Sequence, residues 1–217
     1  MGNDEVFLEI NKLTKNFPGV KALSDVDFTV KEGEVHALVG ENGAGKSTLI
    51  KILAGVYRAD GGEIFLDGKK VNILSTRQAQ INKIAVIYQE FYLIPDLSVA
   101  ENIFVGREPK IPGKIFINWR KMNSDAKKIL DRLGIDIDCK KYVFDLSVAE
   151  RQMVEIAKAL SLDARLFIMD EPTASLTEKE VEKLFEIIDE LKKHGVSIIY
   201  ISHRLDEEFE LSDPITV

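Results

Sequence analysis

The sequence has a single cysteine, Cys139, among its 217 residues, so no disulfide can close within it. A lone thiol fits a reducing compartment. No run approaches the ~18 apolar residues that a membrane-crossing helix needs, and the opening Met1-Gly2-Asn3-Asp4-Glu5 is acidic where a signal peptide would be basic. A basic excess is missing too: 36 Asp plus Glu stand against 29 Lys plus Arg, a formal net charge of −7. That balance argues against a nucleic-acid binder, whose surface carries a positive field. There is no internal repeat and no low-complexity linker. These absences predict a soluble chain kept in the cytosol. What is present is 45% apolar residues, enough to bury a sizeable core and contrary to disorder, in a length that allows one large domain or two small ones.

Two kinds of strand pattern divide the chain. Val26, Phe28 and Val30 alternate with Asp25, Asp27 and Thr29, the period-two mark of a half-buried strand. With residues 6–10 and 64–66, flanked by the Gly61-Gly62 and Asp67-Gly68 turns, they predict a small antiparallel sheet. Residues 35–39, 84–88, 166–169 and 196–201 are instead short, nearly continuous apolar runs, as expected of parallel strands covered on both faces. Helical stretches separate them, which predicts an α/β core. The clearest helix opens at Thr177, where Thr-x-x-Glu with Glu180 forms a capping box, and runs through Val181, Leu184, Phe185, Ile188 and Leu191. Gly195 supplies its stop. A second capping box, Ser147 with Glu150, starts a helix carrying Met153, Ile156, Ala157 and Leu160. Residues from about Phe91 to Asp145 look mainly helical, for example Trp119 to Leu133 before Gly134, and read as an inserted helical subdomain. The final Asp213-Pro214-Ile215-Thr216-Val217 reads as a strand just beginning, which suggests a fragment of a longer polypeptide.

Gly40-Glu41-Asn42-Gly43-Ala44-Gly45-Lys46-Ser47 matches G-x-x-x-x-G-K-[ST], directly after a predicted strand and before a predicted helix opening at Thr48. That context marks a P-loop. Its glycines let successive backbone N–H groups turn inward, and the helix N-terminus adds positive potential for the β- and γ-phosphates. Lys46 would bridge those phosphates and the Ser47 hydroxyl would hold Mg²⁺. Leu166-Phe167-Ile168-Met169-Asp170-Glu171 is a buried strand ending in two carboxylates at the sheet edge where α/β folds bind ligands. Asp170 would orient the Mg²⁺ shell and Glu171 could polarise an attacking water.

These pieces together closely resemble the ATP-binding subunits of ABC transporters over essentially the whole chain. The resemblance implies an α/β P-loop NTPase core with an antiparallel β subdomain, spanning 1–90 and 146–217, and a helical subdomain over 91–145. It implies ATP and Mg²⁺ as cofactors. Gln89 resembles the Q-loop glutamine that senses Mg²⁺ and the lytic water, and Leu146-Ser147-Val148-Ala149-Glu150 occupies the place of the signature. Ala174-Ser175-Leu176-Thr177 sits where the D-loop belongs, and His203 in Ile201-Ser202-His203-Arg204 looks like the switch histidine at the γ-phosphate. Phe17 lies where the family places an aromatic that stacks on adenine, although an aromatic beside Pro18-Gly19 also fits turn packing.

Two departures stand out. The usual signature, L-S-G-G-Q, has glycines where Val148 and Ala149 stand, and glutamine where Glu150 stands. A carboxylate near a triphosphate is unfavourable unless it turns away, and the capping box offers Glu150 such a place; Ser147 still presents a hydroxyl and a helix N-terminus. The nucleotide site completed by this signature is therefore expected to be the weaker one. The D-loop ends in Thr177 where Asp is usual.

Residues 17–23, 146–149, 154–161 and 199–207 look most like monosaccharide importers of the ribose, galactose and xylose type, in which two such domains share one chain and the first carries the altered signature. The resemblance implies an ATPase on the cytoplasmic face of the cell membrane, working with membrane permease subunits, a second nucleotide-binding domain and, indirectly, an extracytoplasmic sugar-binding protein, with no nucleic acid. Phe91-Tyr92-Leu93-Ile94-Pro95 would meet a permease helix, although core packing also suits Leu93 and Ile94. Nucleoside importers share the tandem layout, and a non-transport ABC ATPase is the competing class.

Overall fold

The computed structural model describes residues 5–41, 43–202 and 215–216. The first long element is a hairpin of β1 (Val6–Phe17) and β2 (Val20–Lys31), closed where Phe17 faces Val20 across Pro18-Gly19. It is longer than the alternation alone predicts, because register shifts interrupt the period-two pattern; Lys12 and Asp25, both at positive φ, lie within the hairpin. Where the pattern is regular it sorts the faces: Phe28 and Val30 are buried while Asp25, Asp27 and Thr29 are exposed. β4 (Gly61–Leu66) pairs antiparallel with β1, and β5 (Lys69–Val71) with β4 across the Asp67-Gly68 turn, giving the order β2-β1-β4-β5.

The second sheet has the order β6-β7-β8-β3-β9, with β3 (Val35–Leu38), β6 (Ile84–Ile87), β7 (Leu166–Asp170), β8 (Ser197–Ile201) and β9 (Ile215–Thr216). β3 runs parallel to β8 and β9, and β7 parallel to β8. Leu166 to Met169 and Ile198 to Ile201 are almost wholly inaccessible to solvent, which is why they read as unbroken apolar runs. Each such side chain contributes about 1.5–3 kcal/mol of burial. Beside β7, Arg165 pairs with Glu32 at 2.7 Å and with Asp67, and its guanidinium lies 4.5 Å from the Phe7 ring centroid.

The helices are α1 (Lys46–Leu53), α2 (Thr76–Ile81), α3 (Val99–Phe104), α4 (Trp119–Arg132), α5 (Val148–Leu160) and α6 (Glu178–Lys193). By compactness the chain forms two units: residues 1–86, 164–171 and 191–217, which hold most of both sheets and α1, and residues 87–163 and 172–190, which hold α3, α4, α5 and most of α6. Within the second unit α3 packs on α4 and α5. Its helix starts are set by local side chains: Ser98 with Glu101 and Ser147 with Glu150 form complete capping boxes, and the Asn118 side chain accepts from the Lys121 N–H. At Thr177 the Glu180 carboxylate accepts from both the backbone N–H and the hydroxyl, so that hydroxyl is a donor in place of the expected acceptor.

Candidate nucleotide site

In the first unit the loop after β3 is shaped by glycines at its two ends. Gly40 has φ 152, and a Cβ there would sit 3.2 Å from the Ala44 Cβ and 3.9 Å from the Lys46 ammonium, inside the loop's own concavity. Gly45 has φ 93, and a Cβ there would lie 2.8 Å from both the Ala22 carbonyl oxygen and Leu23 Cδ2. The chain can pass this close to β2 only without a side chain. Gly43 and Ala44 are exposed. Asn42 lies outside the described residues.

Gly45 is also the N-cap of α1, and its carbonyl accepts from the Thr48 and Leu49 N–H groups. No side chain caps α1 and no acid stands in its first turn, so its positive end faces outward over exposed Ser47 and half-buried Thr48. The Lys46 ammonium curls back into the loop, donating to the carbonyls of Gly40 and Glu41, the latter at 3.1 Å. A cation held over a helix N-terminus, in a cradle that a Cβ at Gly40 would fill, fits a polyphosphate.

β7 ends at Asp170, whose register partner is Ile201, and the Glu171 N–H donates to the Ile201 carbonyl at 2.9 Å. Glu171 holds φ 50, a left-handed conformation costly for a side-chain-bearing residue and often found where function needs it. Both carboxylates are half-buried. They lie at the same carboxyl edge of the parallel sheet as the β3 loop, with β8 between, so about 10 Å apart at ~4.8 Å per strand. One hydroxyl and one carboxylate, Ser47 and Asp170, fit Mg²⁺, which keeps several waters and phosphate oxygens in its shell.

Phe17 ends β1 half-buried. Its ring meets Tyr57 edge-on at 5.3 Å, with the Lys15 ammonium 5.4 Å from its centroid and the Lys51 ammonium 5.4 Å from that of Tyr57. Tyr57 and the two lysines had no signal in the sequence, since 40 residues separate the two rings. On the β2 side, Leu23 against Gly45 ties this end of the hairpin to the phosphate loop.

In the second unit Gln89 is exposed two residues beyond the last residue of β6. Ser147 is exposed as the N-cap of α5, and the neighbouring Val148 is 40% exposed. Glu150 is turned back onto the helix start, accepting from the Ser147 N–H at 2.7 Å and from Lys141 at 3.1 Å. Burial works against its ionisation, but those two donors outweigh burial and hold the carboxyl below its ordinary range. His203 lies outside the described residues.

The ABC transporter family profile matches residues 23–174, from Leu23 beside Gly45 to the start of the loop before α6. A ribose import ATP-binding protein of Streptomyces avermitilis is 52% identical over 217 residues, covering 100% of this chain and 41% of that protein. One of Rubrobacter xylanophilus is 55% identical over 210 residues, covering 97% and 42%. The chain thus spans about two-fifths of the length of these relatives. An ATP-binding cassette of an ABC transporter solved in its ADP conformation superposes with a TM-score of 0.85 at 27% identity, covering 97% of this chain and 87% of that one. A dimeric cassette bound to ADP and Pi gives 0.77 at 25% identity, covering 92% and 89%. Fold, phosphate loop and sequence agree: the chain belongs to the ABC transporter family.

Proposed function

We propose that this chain is a nucleotide-binding domain that hydrolyses ATP to drive import of a monosaccharide, ribose-like in type, through membrane permease subunits at the cytoplasmic face of the membrane. The observation that carries the ATPase reading is the uncapped N-terminus of α1 behind the Lys46 cradle, on the same sheet edge as Asp170 and Glu171. The sugar rests on the relatives named above, two ribose import ATP-binding proteins. None of the helices described is long and apolar enough to cross a membrane, so the work would be delivered by docking on separate membrane subunits.

In this reading the N–H groups from Gly43 to Thr48 bind phosphate oxygens, and Lys46 exchanges the Gly40 and Glu41 carbonyls for the β- and γ-phosphates. Ser47, Asp170 and Gln89 are the residues that would hold Mg²⁺, which when bound would supply charge neutralisation at those phosphates. Glu171 orients and polarises the attacking water, and His203 meets the γ-phosphate. Phe17 stacks on adenine. Ser147 presents its hydroxyl and the α5 N-terminus to the nucleotide of a second nucleotide-binding domain, which the length of the relatives leaves room for in one chain. Residues 1–90 and 146–217 would form the nucleotide-binding core, and 91–145 the arm that meets the permease.

The test is steady-state hydrolysis by the full-length protein assembled with its membrane subunits, with and without the sugar-loaded binding protein. Sugar-stimulated turnover that Glu171→Gln reduces by about 10²-fold or more supports the reading. Turnover stimulated by RNA or DNA in place of sugar overturns it.

A further inference from the structure

Both main-chain groups of Tyr92 are held by side chains of α5. Its N–H donates to Glu155 Oε1 at 2.8 Å, and its carbonyl accepts from the Lys158 ammonium at 3.1 Å. Glu155 and Lys158 stand three residues apart on α5 and pair with each other at 3.7 Å. Their side chains are only 12% and 22% exposed, while Tyr92 itself is 62% exposed and meets Tyr88 edge-on at 5.2 Å. Two residues on, the fully buried Asn102 of α3 accepts from the Ile94 N–H at 2.7 Å and donates to the carbonyls of Ile94, Leu97 and Ser98 at 3.0, 3.2 and 3.1 Å.

A nearly buried ion pair loses several kcal/mol of hydration per ion, and apolar residues of the same volume usually stabilise a fold as well or better. The pair supplies something that apolar packing cannot. It fixes one residue's backbone at a set distance and orientation from a helix, whatever side chain that residue carries. α5 is stiff along its length, and Glu155 lies eight residues, ~12 Å, from the N-cap Ser147.

We propose that Glu155 and Lys158 are positioning residues that yoke the segment 91–95 to the signature helix, so that displacement of the segment by a permease moves Ser147. The inference rests on the transport reading and assigns the path by which that site senses its partner.

The experiment uses the full-length protein with its membrane subunits in lipid nanodiscs. Basal and sugar-stimulated hydrolysis are measured together with amide hydrogen exchange at Tyr92. Glu155→Ala and Lys158→Met are expected to lower stimulated turnover about tenfold while basal turnover and the KM for ATP stay within about twofold. Glu155→Gln, which keeps the acceptor for the Tyr92 N–H, is expected to retain stimulation and slow exchange, whereas Glu155→Ala speeds exchange. If Glu155→Ala does not assemble, Glu155→Asp, one methylene shorter, carries the same expectation. Wild-type stimulation in every variant overturns the yoke alone. A parallel fall in basal and stimulated turnover also overturns it, by reducing the contacts to structural support. A wild type that sugar does not stimulate overturns the transport reading, and the yoke with it.

Discussion

Gly45 concentrates the constraints at the residue scale. Its φ of 93 disfavours any L side chain, and a Cβ would press to 2.8 Å on the backbone carbonyl of Ala22, which cannot swing aside as a side chain can. Gly45→Ala is therefore expected to cost about 1–3 kcal/mol of stability and to weaken ATP binding more than tenfold, about 1.4 kcal/mol or more. Urea melts and nucleotide titrations check the two effects, and an unchanged melt would show that the loop yields without strain. Glu171 illustrates the opposite economy: its left-handed backbone is strained, yet Glu171→Gln keeps the backbone and the side-chain shape while removing the carboxylate that we propose as the base. Lost turnover with retained nucleotide binding would separate chemistry from folding there.

At the scale of the element, the start of α5 couples stability to pH. Glu150 has a lowered carboxyl pKa in the fold, so its contribution is fully present above the unfolded carboxyl's ~4.3 and disappears as pH falls through the lower folded value. Thermal melts of wild type and Glu150→Ala should converge below about pH 4 and separate above it; a constant gap would refute the assignment. The same capping box bears on the altered signature. Val148→Gly with Ala149→Gly removes side chains from the first turn of α5 at a cost of up to ~1 kcal/mol each, and on the proposed transport reading is expected to raise hydrolysis by the full-length protein with its membrane subunits, by letting backbone approach the nucleotide of a second domain. Unchanged turnover in the double variant would show that Ser147 and the helix end suffice as they stand.

For the molecule as a whole, stability rests on the parallel strands. Phe167 in β7 has no solvent exposure, so Phe167→Ala is expected to cost about 3–5 kcal/mol, a large share of a typical 5–15 kcal/mol total. A denaturant midpoint little changed would mean that the cavity collapses. Much of this organisation was legible in the chain order: the unbroken apolar runs of β7 and β8, the alternation in β2, the capping box of Ser147 with Glu150, and a phosphate loop whose glycines sit at fixed offsets from Lys46. Each is announced by a pattern that spans only a few residues, which sequence displays directly. The length of the β1–β2 hairpin was not legible, because its bulges break the period that announces a strand. Nor was Tyr57 beside Phe17, or the grip of Glu155 and Lys158 on Tyr92, because those partners lie 40 to 66 residues apart and only the packed elements bring them together. Sequence by itself determined the loop chemistry and the alternation of strands with helices, through backbone sterics and burial pattern. Tertiary structure alone decided which distant side chains meet, because strand order, register and helix packing set those distances.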